Sequence, residues 1–183
     1  MGIACRSCTF ATLATFLVAA AFPAGASASD TLVADLEQRL SREGAEAVNT
    51  YLSTKGSATL NSLNHSTANC ELQAVSLSIR LTRGSHSKTV DAHGESLRVA
   101  VGRCTGFVLA LLSPKEVPKF CASVASWTLM QTARELRRRM SAIDADAVLR
   151  SSPRGKACRA AYLYELQNTR VGLQVRPART APP

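Results

Sequence analysis

The sequence predicts an all-α fold, a compact single domain of seven to eight short helices held by two disulfides. Three observations carry this. Apolar residues recur at steps of three and four through most of the chain, a spacing that stacks them on one side of a helix. The segments so marked are joined by short connections punctuated with Gly, Pro, Ser and Asn. Four cysteines, Cys70, Cys104, Cys121 and Cys158, lie in the body of the chain, and an even count in an exported protein argues for disulfides rather than metal.

Export is expected from residues 1–28. Arg6 supplies the positive charge, residues 10–22 are an almost unbroken apolar run, Pro23 and Gly25 break it, and Ala26-Ser27-Ala28 has the small-x-small form of a signal-peptidase site. The alternative, a membrane anchor, needs about 20 apolar residues, and the run is shorter. Cys5 and Cys8 precede it and would be discarded with it. Cleavage after Ala28 leaves 155 of the 183 residues, and the formal charge falls from +9 to +8 with Arg6. The mature chain is therefore not expected to span a membrane.

The helices follow in order. Ser29-Asp30 can cap a first helix carrying Leu32, Leu36 and Leu40, and Gly44 can end it. A second covers about residues 45–55, with Ala47, Val48, Tyr51 and Leu52 inward and Gly56 as its stop. Ser57 opens a short third with Leu60 and Leu63, after which residues 64–69 read as a loop. A fourth begins near Asn69 with Cys70, Ala74, Leu77 and Leu81 on one face. Its Val75-x-Leu77-x-Ile79-x-Leu81 alternation would also suit a strand, but helix is favoured by the helical surroundings.

Residues 84–94 form the most polar segment and are expected to be a loop. A fifth helix, about residues 95–112, buries Leu97, Val101, Cys104, Val108 and Leu111, and Ser113-Pro114 closes it. Val117 and Phe120 anchor residues 114–121. The amphipathic helix that follows places Leu129, Ala133, Leu136, Met140 and Ile143 on one side, and it is expected to be the bar on which the rest packs. Asp144 can cap a short helix with Ala147, Val148 and Leu149. Ser152-Pro153 opens the last helix, with Cys158, Ala161, Tyr162 and Leu166, because proline is suited to a first helical position. Residues 29–168 thus form the helical domain, and 169–183 a disordered tail with three prolines and three arginines in residues 170–183. In this layout Cys70–Cys104 and Cys121–Cys158 each join neighbouring helices, so this pairing is expected out of three. Each bond would close a loop of about 35 residues, worth about 3–4 kcal/mol by loop-closure entropy.

Chemistry has few footholds. His86, Asp91, His93 and Glu95 fall close together in sequence, and His86, Asp91 and His93 could serve a metal-assisted periplasmic enzyme. Their spacing matches no tight ligand pattern, so a solvated polar loop is the competing reading and no metal site is assigned. There is no Gly-x-Ser-x-Gly elbow, and oxidised cysteines offer no thiolate. No catalytic residues and no cofactor are assigned, and the chain is read as not an enzyme. The basic cluster is the strongest signal. Arg134, Arg137 and Arg138 share a polar helical face, Arg139 adjoins them, and Arg150, Arg154, Lys156 and Arg159 follow. Such a face can dock an acidic protein or an anionic envelope component, since guanidinium groups grip carboxylate and phosphate in a forked geometry. The competing reading is a solvated surface. Trp127 is read as a core anchor or, alternatively, as part of the binding surface. Nucleic acid is not expected as a partner, because no recognition motif is present.

Two resemblances bear on function. Gly44-Ala45-Glu46-Ala47-Val48 with Leu52, then Glu95-Ser96-Leu97-Arg98-Val99-Ala100-Val101-Gly102, then Cys121 and Cys158, resemble the pattern of a group of small exported proteobacterial proteins without an assigned function. The chain lacks the tryptophans that group carries in its second and fourth helices and adds Cys70 and Cys104. The resemblance implies a helical exported domain and no activity. The stretch from Cys104-x-Gly106-Phe107-Val108-Leu109 through Phe120-Cys121 to Cys158 is also similar to type VI secretion amidase-immunity proteins, small periplasmic helical proteins that plug a toxin's active site. Together these imply a periplasmic or secreted, non-catalytic binding protein, toxin-neutralising or envelope-associated.

Overall fold

A computed structural model describes residues 28–85, 88–122, 124 and 128–175, with the side chains of Ala28 and of residues 170–175 left aside. Residues 1–27, on which the expected signal segment falls, His86, Trp127 and residues 176–183 lie outside the described residues. The described chain is all-α, with no strand: α1 (Ala28–Thr54), α2 (Ser57–Ala68), α3 (Leu72–Leu81), α4 (Lys88–Arg103), α5 (Thr105–Leu111), α6 (Val117–Cys121), α7 (Leu129–Ala145), α8 (Ala147–Ser151) and α9 (Pro153–Val175).

The local signals set most of these boundaries. Gly44 interrupts α1 at φ 82°, a backbone conformation glycine adopts without a steric penalty, so the two helices expected on either side are two arms of a kinked α1. Thr128 caps α7 through a full capping box: Gln131 N–H donates to Thr128 Oγ1 at 3.3 Å, and Thr128 N–H to Gln131 Oε1 at 3.1 Å. Ser152 Oγ accepts from Gly155 N–H at 2.9 Å and Pro153 opens α9, as expected.

Other boundaries moved. Ser29 is not a cap; its hydroxyl donates to Glu71 Oε2 at 2.6 Å, and α2 is preceded by Gly56 with no side-chain cap. The expected loops at 64–69 and 84–94 are largely helical, because α2 runs to Ala68 and α4 starts at Lys88. Thr67, Thr89 and His93 turn inward and find partners in Ser78 Oγ, the Asn49 carbonyl and Asn64 Oδ1, while His65 and Asp91 stay exposed. The single helix expected over 95–112 is broken at Cys104 (φ −131°, ψ 52°), the residue bonded to Cys70. Asp146, not Asp144, caps α8 by accepting from Val148 and Leu149 N–H. The last helix continues past Asn168 to Val175, with Thr169 buried and its hydroxyl bonded back to Glu165 O at 2.8 Å; residues 169–175 are therefore helix, not tail.

Two apolar clusters make the core. Val33, Leu36, Val48, Leu52, Leu63, Ala74, Leu77 and Leu81 form one from α1, α2 and α3. Val75, Ile79, Leu97, Val101, Leu112, Phe120, Leu136, Ile143, Tyr162 and Leu166 are among those forming the other. The element common to both is α3. Ala74, Leu77 and Leu81 face one cluster and Val75 and Ile79 the other, about 100° round the helix per residue. Burial on two sides places Val75 and Ile79 on one face and Leu77 and Leu81 on the other, so the apolar residues fall at alternate positions, which is why the sequence imitates a strand. The bar between the two halves is thus α3. The amphipathic α7 packs chiefly on α9 and is confined to the second cluster.

Both disulfides form as expected. Cys70–Cys104 ties the α2–α3 connection to the break between α4 and α5 (Cα–Cα 6.3 Å), and Cys121–Cys158 ties α6 to α9 (Cα–Cα 5.2 Å). Cys121 and Cys158 are wholly buried, whereas Cys70 and Cys104 are half-buried.

Candidate functional site

The arginines of α7 do not share one environment. Arg134, Arg137 and Arg138 are exposed, but Arg139 turns inward. It is 6% exposed. Its Nε donates to Glu135 Oε1 at 2.8 Å and its Nη1 to the Arg98 carbonyl at 3.0 Å. Its guanidinium also stands 5.9 Å from the Tyr162 ring centroid. Arg138 forks onto the same Glu135 and reaches across to the Gly102 carbonyl at 3.1 Å. Glu135 is therefore shared by two guanidinium groups. The hydrogen bond from Arg138, opposed by partial burial and reinforced by Arg139, holds its carboxyl down at about 2. Arg134 and Arg137 have neither a hydrogen bond nor an ion pair among the described residues.

The α4–α7 contact adds two residues that the sequence did not single out. Arg98 and Arg103 of α4, with Gly102 between them, line a cleft of about 280 Å³ together with Glu135, Arg138 and Arg139. A neighbouring hollow of about 390 Å³ is lined by Gln131, Arg134, Glu135 and Arg138. Arg98 is offset by Glu95 at 2.7 Å, and Arg103 donates to Ala68 O at 3.2 Å and to Asn69 Oδ1 at 2.9 Å, which leaves its charge without a counter-ion among the described residues. The first cleft thus carries four guanidinium groups on its wall and one carboxylate already committed to two of them. In a half-dry cleft such an imbalance attracts carboxylate or phosphate. Convergence of Arg98 and Arg103 on α7 could not be seen from spacing, since the Arg98–Arg139 contact spans 41 residues.

The histidine–aspartate group behaves differently. Asp91 is exposed and His93 fully buried, two positions along α4 and so on opposite sides of it. His93 Nδ1–H donates to Asn64 Oδ1 at 3.0 Å, and its Nε2 is buried without a partner. Burial lowers its pKa to about 4, so it is neutral. The geometry fastens α4 to α2 and does not converge Asp91 and His93 on one point. Among the described residues no three His, Cys, Asp or Glu side chains stand close enough to hold a metal; His86 is outside them. Trp127, the other expected contact, is also outside them. Asn49, which the sequence did not mark, is buried in α1 and donates to Leu81 O at 3.0 Å.

Comparison with known proteins returns nothing: no family model, no curated protein and no solved structure matches the chain. No helix among the described residues is long and apolar enough to cross a membrane.

Proposed function

We propose that the chain is an exported, non-catalytic binding protein that holds an acidic partner on the arginine cleft between α4 and α7. The observation that carries this is the unbalanced charge: among the described residues Arg103 on the cleft wall, and Arg134 and Arg137 elsewhere on α7, have no carboxylate partner, while Glu135 is consumed by Arg138 and Arg139. Rigidity supports it. Arg139 and Arg138 are anchored to backbone carbonyls of α4, so the cleft is organised before a partner arrives, and less entropy is lost on binding. The two disulfides and the signal-like first 28 residues fit an oxidising compartment, the periplasm or outside the cell, where a toxin-neutralising or envelope-associated protein would act.

The test compares wild type with Arg103→Glu/Arg134→Glu, which reverses one charge on the cleft wall and one in the adjoining hollow and spares the anchored Arg138. Retention of polyglutamate and of periplasmic proteins is measured over a salt series. Wild type should hold both at low salt and release them as salt rises, and the variant should hold neither. Equal retention by the two proteins would discard the arginine cleft as the docking surface.

A further inference from the structure

A second concave surface shares no lining residue with the arginine cleft and has a different chemistry. Gly106 and Leu109 of α5, Pro114, Val148 and Leu149 of α8 and Arg154 of α9 line a groove of about 430 Å³. That is within the range of about 300–1,000 Å³ usual for ligand sites. Helix α8 buries none of its residues, and Val148 stands 76% exposed at the edge of the groove. An apolar ridge beside an apolar hollow is relief suited to a polypeptide.

The groove is built rigidly. Helices α8 and α9 meet at Gly155, where an added Cβ would lie 2.7 Å from the Leu149 carbonyl carbon and nearer still to its oxygen. Ser152 Oγ accepts from Gly155 N–H at 2.9 Å, and the buried Cys121–Cys158 bond fixes α9 one turn further on. The wall formed by Leu149 is therefore held in place from behind.

One lining residue is charged. Arg154 makes no hydrogen bond or ion pair among the described residues, and its Nε is buried without a partner. Of the two nearest upstream acidic residues, Asp146 accepts from Val148 and Leu149 N–H at the start of α8, and Asp144 is taken by Arg159 at 2.7 and 3.2 Å. A half-buried guanidinium on the groove lining, with no counter-charge among the described residues, is complementary to a carboxylate brought by a ligand. The chain's own last residues, 176–183, carry Arg176 and Arg179 and no acidic side chain, so their charge opposes occupancy.

We propose that the α5–α8–α9 groove is a second docking site, seating an aliphatic side chain of a partner polypeptide with an adjacent carboxylate on Arg154. It stands independently of the arginine cleft. The test is an NMR titration of the oxidised, isotope-labelled protein with three amidated, acetylated tetrapeptides: Asp-Leu-Leu-Asp, Lys-Leu-Leu-Lys and Asp-Ser-Ser-Asp. The first should saturate with shifts at the Gly106, Leu149 and Gly155 amides, about tenfold tighter than the other two. Arg154→Gln should bring the two leucine peptides to equal affinity, and Arg103→Glu/Arg134→Glu should leave the first unchanged. Equal binding of acidic and basic peptides to wild type would overturn the proposal. So would shifts confined to α4 and α7, or binding to anionic phospholipid vesicles with no response to any peptide.

Discussion

The guanidinium of Arg139 lies against Gly102 so closely that a Cβ on Gly102 would stand 2.5 Å from Arg139 Cζ. A flexible arginine could swing aside, but this one is buried and bonded to Glu135 and to the Arg98 carbonyl. Gly102→Ala should therefore cost about 1–3 kcal/mol in urea unfolding, the loss of charge-assisted bonds outweighing the gain in helix propensity. Arg139→Met should cost about 1–3 kcal/mol, since Glu135 loses one guanidinium but keeps Arg138. In the double variant the two losses should not add, and a simple sum would show that the residues do not meet.

Acid should weaken the fold in two stages. The unfolded chain protonates His93 near 6.5, while the folded protein does so only near 4. Its contribution is therefore full above pH 6.5 and is lost as pH falls from 6.5 to about 4, by about 3 kcal/mol. Glu116 and Glu135 act lower down. Burial pushes Glu116 up, but bonds from Arg83 and Ser113 win and hold it at about 2, like Glu135. Their contributions are present above pH 4.5 and fade toward pH 2. Unfolding curves across pH should show both stages, and His93→Gln should flatten only the upper one.

The two disulfides should differ in accessibility rather than in loop entropy. Their loops are similar, spanning separations of 34 and 37 residues, so replacing either pair by alanines should cost about 3–4 kcal/mol. Under native conditions with dithiothreitol, however, Cys70–Cys104 should open first, because Cys121 and Cys158 are fully buried. Timed alkylation with peptide mass mapping checks the order.

The elbow between α8 and α9 should tolerate no side chain at Gly155. The clash there is with backbone, not with a movable chain end. Gly155→Ala should destabilise by about 3 kcal/mol, seen as a lowered urea midpoint with an unchanged slope. Thr128→Ala, which removes only the α7 capping box, should cost about 1 kcal/mol.

The sequence by itself determined the helical class, the break at Gly44, the start of α9 at Ser152-Pro153 and the pairing of the four cysteines. These rest on interactions within a few residues, or on which helices are neighbours, and both are written in apolar spacing and in Gly and Pro. Only the tertiary structure decided that α3 would be buried on two sides and that His93 and Asn64 would face each other across α2 and α4. It also sent Arg139 inward while Arg138 beside it stayed out, and brought Arg98 and Arg103 against α7. Those outcomes depend on which polar group finds a partner across another helix. A local pattern marks a residue as polar, but burial of a polar group is allowed wherever a distant element supplies its hydrogen bond.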